Sequence, residues 1–244
     1  MKILGIGTNQ DKLILLGLAA CAGFSTVPFV CTEAALSANT GNSSKHAGKH
    51  GYHHSFAGAE QWSKKFDDPA RDKWQRPEAT IKALRINTQD KIVDLGAGTG
   101  YFSLRIAKAY PHATIYAADV EPSMIEYLHK QSEKLRLPNH LPVKVPANKV
   151  DLPTKVNLVL VVDTYHHIDD RITYFGALRE QLMPDGRVVV IDFTAQSPEG
   201  PPPKHRISKA DLQDEMKQAG YTLDQDITLL PYQYFLIFKP ATIK

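Results

Sequence analysis

The sequence predicts a doubly wound α/β domain with a mostly parallel sheet, on three observations. From Lys91 onward, short apolar runs alternate with longer amphipathic ones, the pattern of repeated β-α units. The first of these runs, Ile92-Val93-Asp94-Leu95, leads directly into a glycine-rich turn, Gly96-Ala97-Gly98-Thr99-Gly100. The last two runs are separated only by Leu230-Pro231-Tyr232, too little chain for a helical crossover, so they should pair antiparallel.

In order along the chain, the apolar runs predict strands at 91–95, 113–119, 141–145, 156–162, 186–193, 222–229 and 233–239. Helices are expected between them at 100–109, 122–135, 171–183 and 208–219. Ahead of the sheet, residues 56–90 form a helical cap. Ala59, Trp62, Phe66 and Ala70 recur at helical spacing over 56–72, and Pro77-Glu78 opens a second helix through Leu84. The domain proper is 91–244.

The first 38 residues differ in character. Lys2 and Lys12 precede the apolar stretch Leu13 to Ala20, the order of a signal or anchor segment. Leu18-Ala19-Ala20-Cys21 resembles a bacterial lipobox, in which Cys21 would carry a lipid and tether the protein to a membrane. Cleavage near Ser37 or Ala38, or an uncleaved span of about 19 residues, are the alternatives. The expected location is therefore exported, periplasmic or membrane-anchored, or cytoplasm-facing on an uncleaved anchor. Residues 39–55, with Gly, Ser and the histidines His46, His50, His53 and His54, read as a polar linker.

At 244 residues the chain is long enough for one such domain plus an appendage. Its formal charge of +3 comes without a basic stripe interleaved with aromatics, which argues against nucleic acid as the main partner. A small or lipidic partner is favoured. Both cysteines, Cys21 and Cys31, fall in the leader, so the domain has neither a disulfide framework nor a sulfur nucleophile.

The glycine turn narrows the ligand. Dinucleotide binding calls for GxGxxG, whereas this loop is GxGxG with Asp94 two residues ahead of it, an acid that would repel pyrophosphate. S-adenosylmethionine carries an ammonium beside its carboxylate, so a turn offering both backbone amides and a nearby acid suits it. Asp119, ending the second strand, is placed to accept from both ribose hydroxyls, with Val120 flanking the adenine.

Four stretches, VDLGAGTGYFS at 93–103, ADVEPSMIEYL at 118–128, VNLVLVVDTYHHI at 156–168 and LMPDGRVVVIDF at 182–193, resemble the class I S-adenosylmethionine-dependent methyltransferase family in order and spacing. The resemblance implies a Rossmann-like, seven-stranded sheet closed by an antiparallel hairpin. It also implies S-adenosylmethionine as cofactor, with Asp94, Gly96, Gly98 and Gly100 at the methionine end, Asp119 at the ribose and Asp163 facing the same pocket. Asn148 is a candidate for the adenine amine. Over 52–240 the chain is also similar to bacterial methyltransferase-domain proteins, some with signal sequences, that share AEQWSKKFDDPARDKWQ, GPPPKHRI and LPYQYFLIF.

Methyl transfer needs an aligned acceptor and, for a protonated one, a base. His166 is the candidate base and Tyr165 a candidate wall of the acceptor pocket, both just after the fourth strand, while His167 is assigned to packing. No metal is expected: His166, His167 and Asp169 would point apart on an extended chain. His205, Arg206 and Tyr232 are candidates to complete the substrate site, and Trp62, Phe66 and Trp74 to exclude water from it. The competing reading is a non-catalytic binding protein of the envelope that keeps the fold. A nicotinamide oxidoreductase is disfavoured by the loop spacing.

Overall fold

A computed structural model describes residues 56–242, so the leader at 1–38 and the linker at 39–55 lie outside the described residues. Seven strands form one sheet in the order β3-β2-β1-β4-β5-β7-β6. They are β1 Lys91–Leu95, β2 Thr114–Asp119, β3 His140–Lys144, β4 Val156–Val162, β5 Leu182–Phe193, β6 Tyr221–Asp226 and β7 Gln233–Pro240. Strands β1 to β5 run parallel, and β7 is antiparallel to both β5 and β6. The short 230–232 connection thus closes the sheet with the expected hairpin.

The strands read as apolar runs because both faces are covered. On one face Val93, Leu95, Val159, Val161, Val188 and Val190 pack with Tyr174, Phe175, Leu178, Leu212 and Met216, from α6 Arg171–Arg179 and α7 Lys209–Gln218. On the other, Ile92, Ile115, Leu158, Leu160, Val189 and Ile191 meet Ile81 and Ile106, from α3 Pro77–Ala83 and α4 Ser103–Ala109. Helix α5, Pro122–Leu135, adds Leu128 against Ala117. Residues 145–155, between β3 and β4, contain no helix.

Several boundaries differ from the expected ones. The helix expected over 56–72 stops after α1, Ala59–Phe66. Pro69 has no amide to continue it, and the Asp68 carboxylate accepts from the Ala70 amide at 2.8 Å to cap a new 3-10 turn at Pro69–Arg71. Helix α2, Asp72–Gln75, follows and is separated from α3 by Arg76 in the left-handed region. Helix α6 ends at Arg179 rather than 183 because Leu182 already pairs with Val156 in the sheet. Among the described residues no helix is long and apolar enough to cross a membrane.

The chain enters the sheet at β1, winds out to β3 and returns to β4 on the other side of β1. Strand order therefore reverses between β1 and β4. Their crossovers part there, and a crevice opens beyond the carboxyl ends of the strands. The cap lies over that crevice. The Gly58 amide donates to Ser123 Oγ at 3.1 Å, and Thr99 in the glycine turn donates to Asp67 at 2.7 Å.

Candidate functional site

The glycine turn is shaped partly by the protein's own packing. Gly96 has φ +76°, and a Cβ there would lie 2.4 Å from the Thr164 side chain, so only glycine lets β1 and the turn after β4 approach this closely. Gly98, at φ +55°, has room on its open side, where the Phe66 ring lies 3.5 Å from the position of a Cβ. Its amide donates to Asp119 Oδ2 at 2.8 Å. A side chain at Gly100 would meet Leu104 and Leu128 at 2.8 Å, again a packing demand.

Around this turn four carboxylates gather at the strand ends: Asp94 in β1, Asp119 ending β2, Asp163 just past β4 and Asp192 in β5. Asp94 is buried and accepts the Ser103 amide at 3.1 Å. Burial, reinforced by the charge of Asp119, raises its pKa to about 7 against the pull of the Ser103 amide and Arg71. Asp119 takes one amide on each oxygen, Gly98 on Oδ2 and Glu121 on Oδ1 at 2.9 Å, yet burial still raises its pKa. A carboxylate has about four acceptor positions, so both oxygens keep capacity for a ligand's hydroxyls.

Asp163 adopts φ +55°, a conformation asparagine and aspartate tolerate better than most residues. Arg71 of the cap reaches its Oδ2 at 3.1 Å and Gln75 the same oxygen at 3.3 Å, while Gln233 of β7 donates to Oδ1. Burial raises the Asp163 pKa to about 7, with Arg71 opposing the rise and Asp192 adding to it.

His166 stands beside this group. Its Nδ1 lies 2.9 Å from each Asp192 oxygen, and its backbone amide donates to Oδ2 at 3.3 Å. Both side chains are buried. Burial works against the imidazolium, but the Asp192 charge and hydrogen bond, with Asp163 behind them, outweigh it and raise the His166 pKa. With Nδ1 held by the carboxylate, Nε2 is left as the nitrogen for proton transfer.

Residues 86–228 match the family described as "Methyltransferase domain". The chain belongs to the class I S-adenosylmethionine-dependent methyltransferase family. A malonyl-acyl-carrier-protein O-methyltransferase of Hahella chejuensis is 26% identical over 123 residues, 49% of this chain and 42% of the relative. A demethylmenaquinone methyltransferase of Mycobacterium marinum is 31% identical over 124 residues, covering 50% and 48%. The chain thus spans less than half the length of these two relatives. A SAM-dependent methyltransferase structure from Aquifex aeolicus superposes with a TM-score of 0.69 at 24% identity, covering 74% of this chain and 97% of that one, which shows a shared fold.

In this methyltransferase domain the sequence-predicted residues fall into two groups. Asp94, Gly96, Gly98, Gly100, Asp119 and Asp163 converge on the crevice, and Val120 lies beside Asp119 with 49% of its surface exposed. Tyr165 does not line an acceptor pocket: it is fully buried, stacked on Phe175, and donates to Glu215 at 2.9 Å. The cause is that residues 165–167 form a 3-10 turn, which points Tyr165 into the core and brings the His166 and His167 rings to 4.2 Å. The chain at 165–167 is therefore not extended.

Arg206 is also engaged elsewhere. Its guanidinium donates to five backbone carbonyls, those of Thr194, Ala195, Ser197, Glu199 and Pro201, and so organises its own loop instead of presenting charge to an anion. Asn148 is exposed in the 145–155 segment. His205 ends a 3-10 turn at Pro203–His205 in the same loop as Arg206. Tyr232 is half-buried, its ring 6.4 Å from Trp74, which in turn lies 6.0 Å from Phe193.

Sequence reasoning assigned no role to Asp192, Arg71 or Gln75. Asp192 left a signal, a lone carboxylate in the run Val188-Val189-Val190-Ile191-Asp192-Phe193. Arg71 and Gln75 lie in the shared stretch AEQWSKKFDDPARDKWQ, but nothing local to it says that the cap brings them to the strand ends.

The raised Asp94 carries a consequence for stability. The folded protein retains a proton there up to about pH 7, whereas the unfolded chain releases it near its ordinary value of 3.8, so this group opposes folding increasingly as pH rises between the two. Asp94→Asn keeps an acceptor oxygen for the Ser103 amide and removes the charge. Thermal melts followed by circular dichroism should show a midpoint raised by about 3 °C or more at pH 8 and nearly unchanged at about pH 4.

Proposed function

We propose that this protein transfers a methyl group from S-adenosylmethionine to a small-molecule or lipid-linked acceptor positioned at His166. The observation that carries the reading is the set of buried carboxylates around a glycine turn, three of them with raised pKa values. Such a site favours a cationic ligand and disfavours a pyrophosphate. When bound, the cofactor supplies an electrophilic methyl on its sulfonium.

The chain's own residues supply the rest. Asp119 offers its remaining lone pairs to the ribose hydroxyls, and exposed Val120 gives apolar surface beside them for the adenine. Asp94 and Asp163 balance the ligand's positive charge. The cluster of Phe56, Trp62, Phe66 and His167, with ring centroids 5.0 to 5.8 Å apart, covers the crevice and keeps water from it. Phe193 lies 6.4 Å from the His166 ring, and Trp74 and Tyr232 extend the aromatic surface from it on the side assigned to the acceptor. His166 Nε2 receives the acceptor's proton while Asp192 fixes the ring and stabilises the imidazolium.

Acyl, quinol and amine acceptors form a suitable panel, with S-adenosylhomocysteine release as the readout. Asp119→Ala should weaken cofactor affinity by about tenfold or more, since charge-assisted hydrogen bonds to the ribose would be lost. His166→Ala should lower kcat by about 10²–10⁴ with cofactor affinity retained. A rate that rises with pH should inflect above the ordinary histidine value of 6.5, and Asp192→Asn should move that inflection lower by removing the charge that favours the imidazolium. Preferential binding of NAD, or cofactor binding with no turnover on any acceptor, would overturn the proposed activity.

A further inference from the structure

Arg71 occupies a position that the reading above leaves unexplained. Its guanidinium lies over the Tyr101 ring at 4.1 Å and donates Nε to Gln75, Nη1 to the Phe66 carbonyl at 2.9 Å and Nη2 to Asp163 at 3.1 Å. Three of its five N–H donors are committed among the described residues, which leaves one on each Nη. Arg71 and Asp163 are mostly buried, with 15% and 20% of their side-chain surfaces exposed, so this is not a solvated surface pair. Its charge also reaches Asp67 and Asp94, placing a cation in the middle of the acidic site.

A cofactor that ends in an amino acid brings both an ammonium and a carboxylate to this place. The carboxylates of the site suit the ammonium but would repel the carboxylate, which needs a cation of its own. Arg71 is positioned to be that cation, and its planar fork matches a carboxylate in two-point geometry. In the free protein Asp163 fills the role of the missing anion and Arg71 that of the missing cation. A zwitterion can enter such a pair by exchanging partners, with no change in net charge and no buried charge left unpaired.

We propose that Arg71 and Asp163 together form the receptor for the amino-acid end of S-adenosylmethionine: the ligand carboxylate takes the Asp163 position on Arg71, and the ammonium takes the Arg71 position on Asp163. This rests on the cofactor reading above. It makes Arg71 a specificity residue contributed by the cap, and it ties cap closure to the complete amino-acid end. The Phe66 carbonyl and Gln75 hold the guanidinium from two cap segments, and Gln75 and Gln233 brace Asp163 from the other side. Gln75 also donates to Gln233 at 3.0 Å, so Asp163 keeps its orientation when its partner changes.

Calorimetric titration of the full chain with S-adenosylhomocysteine and with 5′-methylthioadenosine, which lacks the amino-acid end, tests this without any acceptor. The wild type should prefer S-adenosylhomocysteine. Arg71→Gln should weaken that ligand by about 10- to 100-fold and alter 5′-methylthioadenosine by less than about threefold, with Arg71→Lys in between. Retained 5′-methylthioadenosine binding certifies a folded variant, and Arg71→Lys carries the comparison if the glutamine variant does not fold. Equal losses for both ligands would show that Arg71 only holds the cap in place, and an unchanged S-adenosylhomocysteine affinity would show that it does not touch the carboxylate; either result overturns the proposal. A wild type that bound neither nucleoside would instead bring down the cofactor reading beneath it.

Discussion

Carboxylates crowded at the ends of parallel strands are the constraint on which the rest of this structure depends. Asp94, Asp119, Asp163 and Asp192 end or follow four neighbouring strands, where both faces of the sheet are sealed and water has little access. Each charge there costs desolvation and repels the next. The protein answers in three ways. Backbone amides of Gly98, Ser103 and Glu121 cap two of the acids, Arg71 and His166 pair with two others, and a proton remains on Asp94 up to about pH 7. A cationic ligand relieves what these devices only partly compensate.

The cap makes this arrangement a closed site. Asp67 and Asp72 receive the hydroxyls of Thr99 and Tyr101, Arg71 reaches across to Asp163, and Phe66 covers the open side of Gly98. These contacts are polar or aromatic and join segments far apart in sequence, unlike the aliphatic packing of the sheet. The part of the cap over the crevice is therefore held by groups that a ligand can also use, whereas the sheet beneath it is held by strand pairing and aliphatic burial.

The sheet was legible because doubly covered strands must be almost wholly apolar, and runs such as Val156 to Val162 have little other use. The closing hairpin was legible from the length of one loop. The glycine turn and Asp119 could be read because chemistry there depends on residues close in sequence. Tyr165 was misread because a 3-10 turn reverses the side chain that an extended chain would have presented. Arg206 was misread because a guanidinium near a loop can satisfy itself on that loop's carbonyls, and sequence does not say which it will do. Arg71 and Asp163 lie on segments separated by the whole first half of the sheet, so only the fold could bring them together.

Binding of S-adenosylmethionine measured by calorimetry near pH 7, in two buffers of different ionisation enthalpy, probes these acids most directly. The ligand carries one net positive charge, so binding should expel the proton from Asp94, and the release should fade by about pH 9, where that group is already ionised. Heats independent of buffer, or proton uptake in place of release, would contradict a site built around carboxylates waiting for a cation.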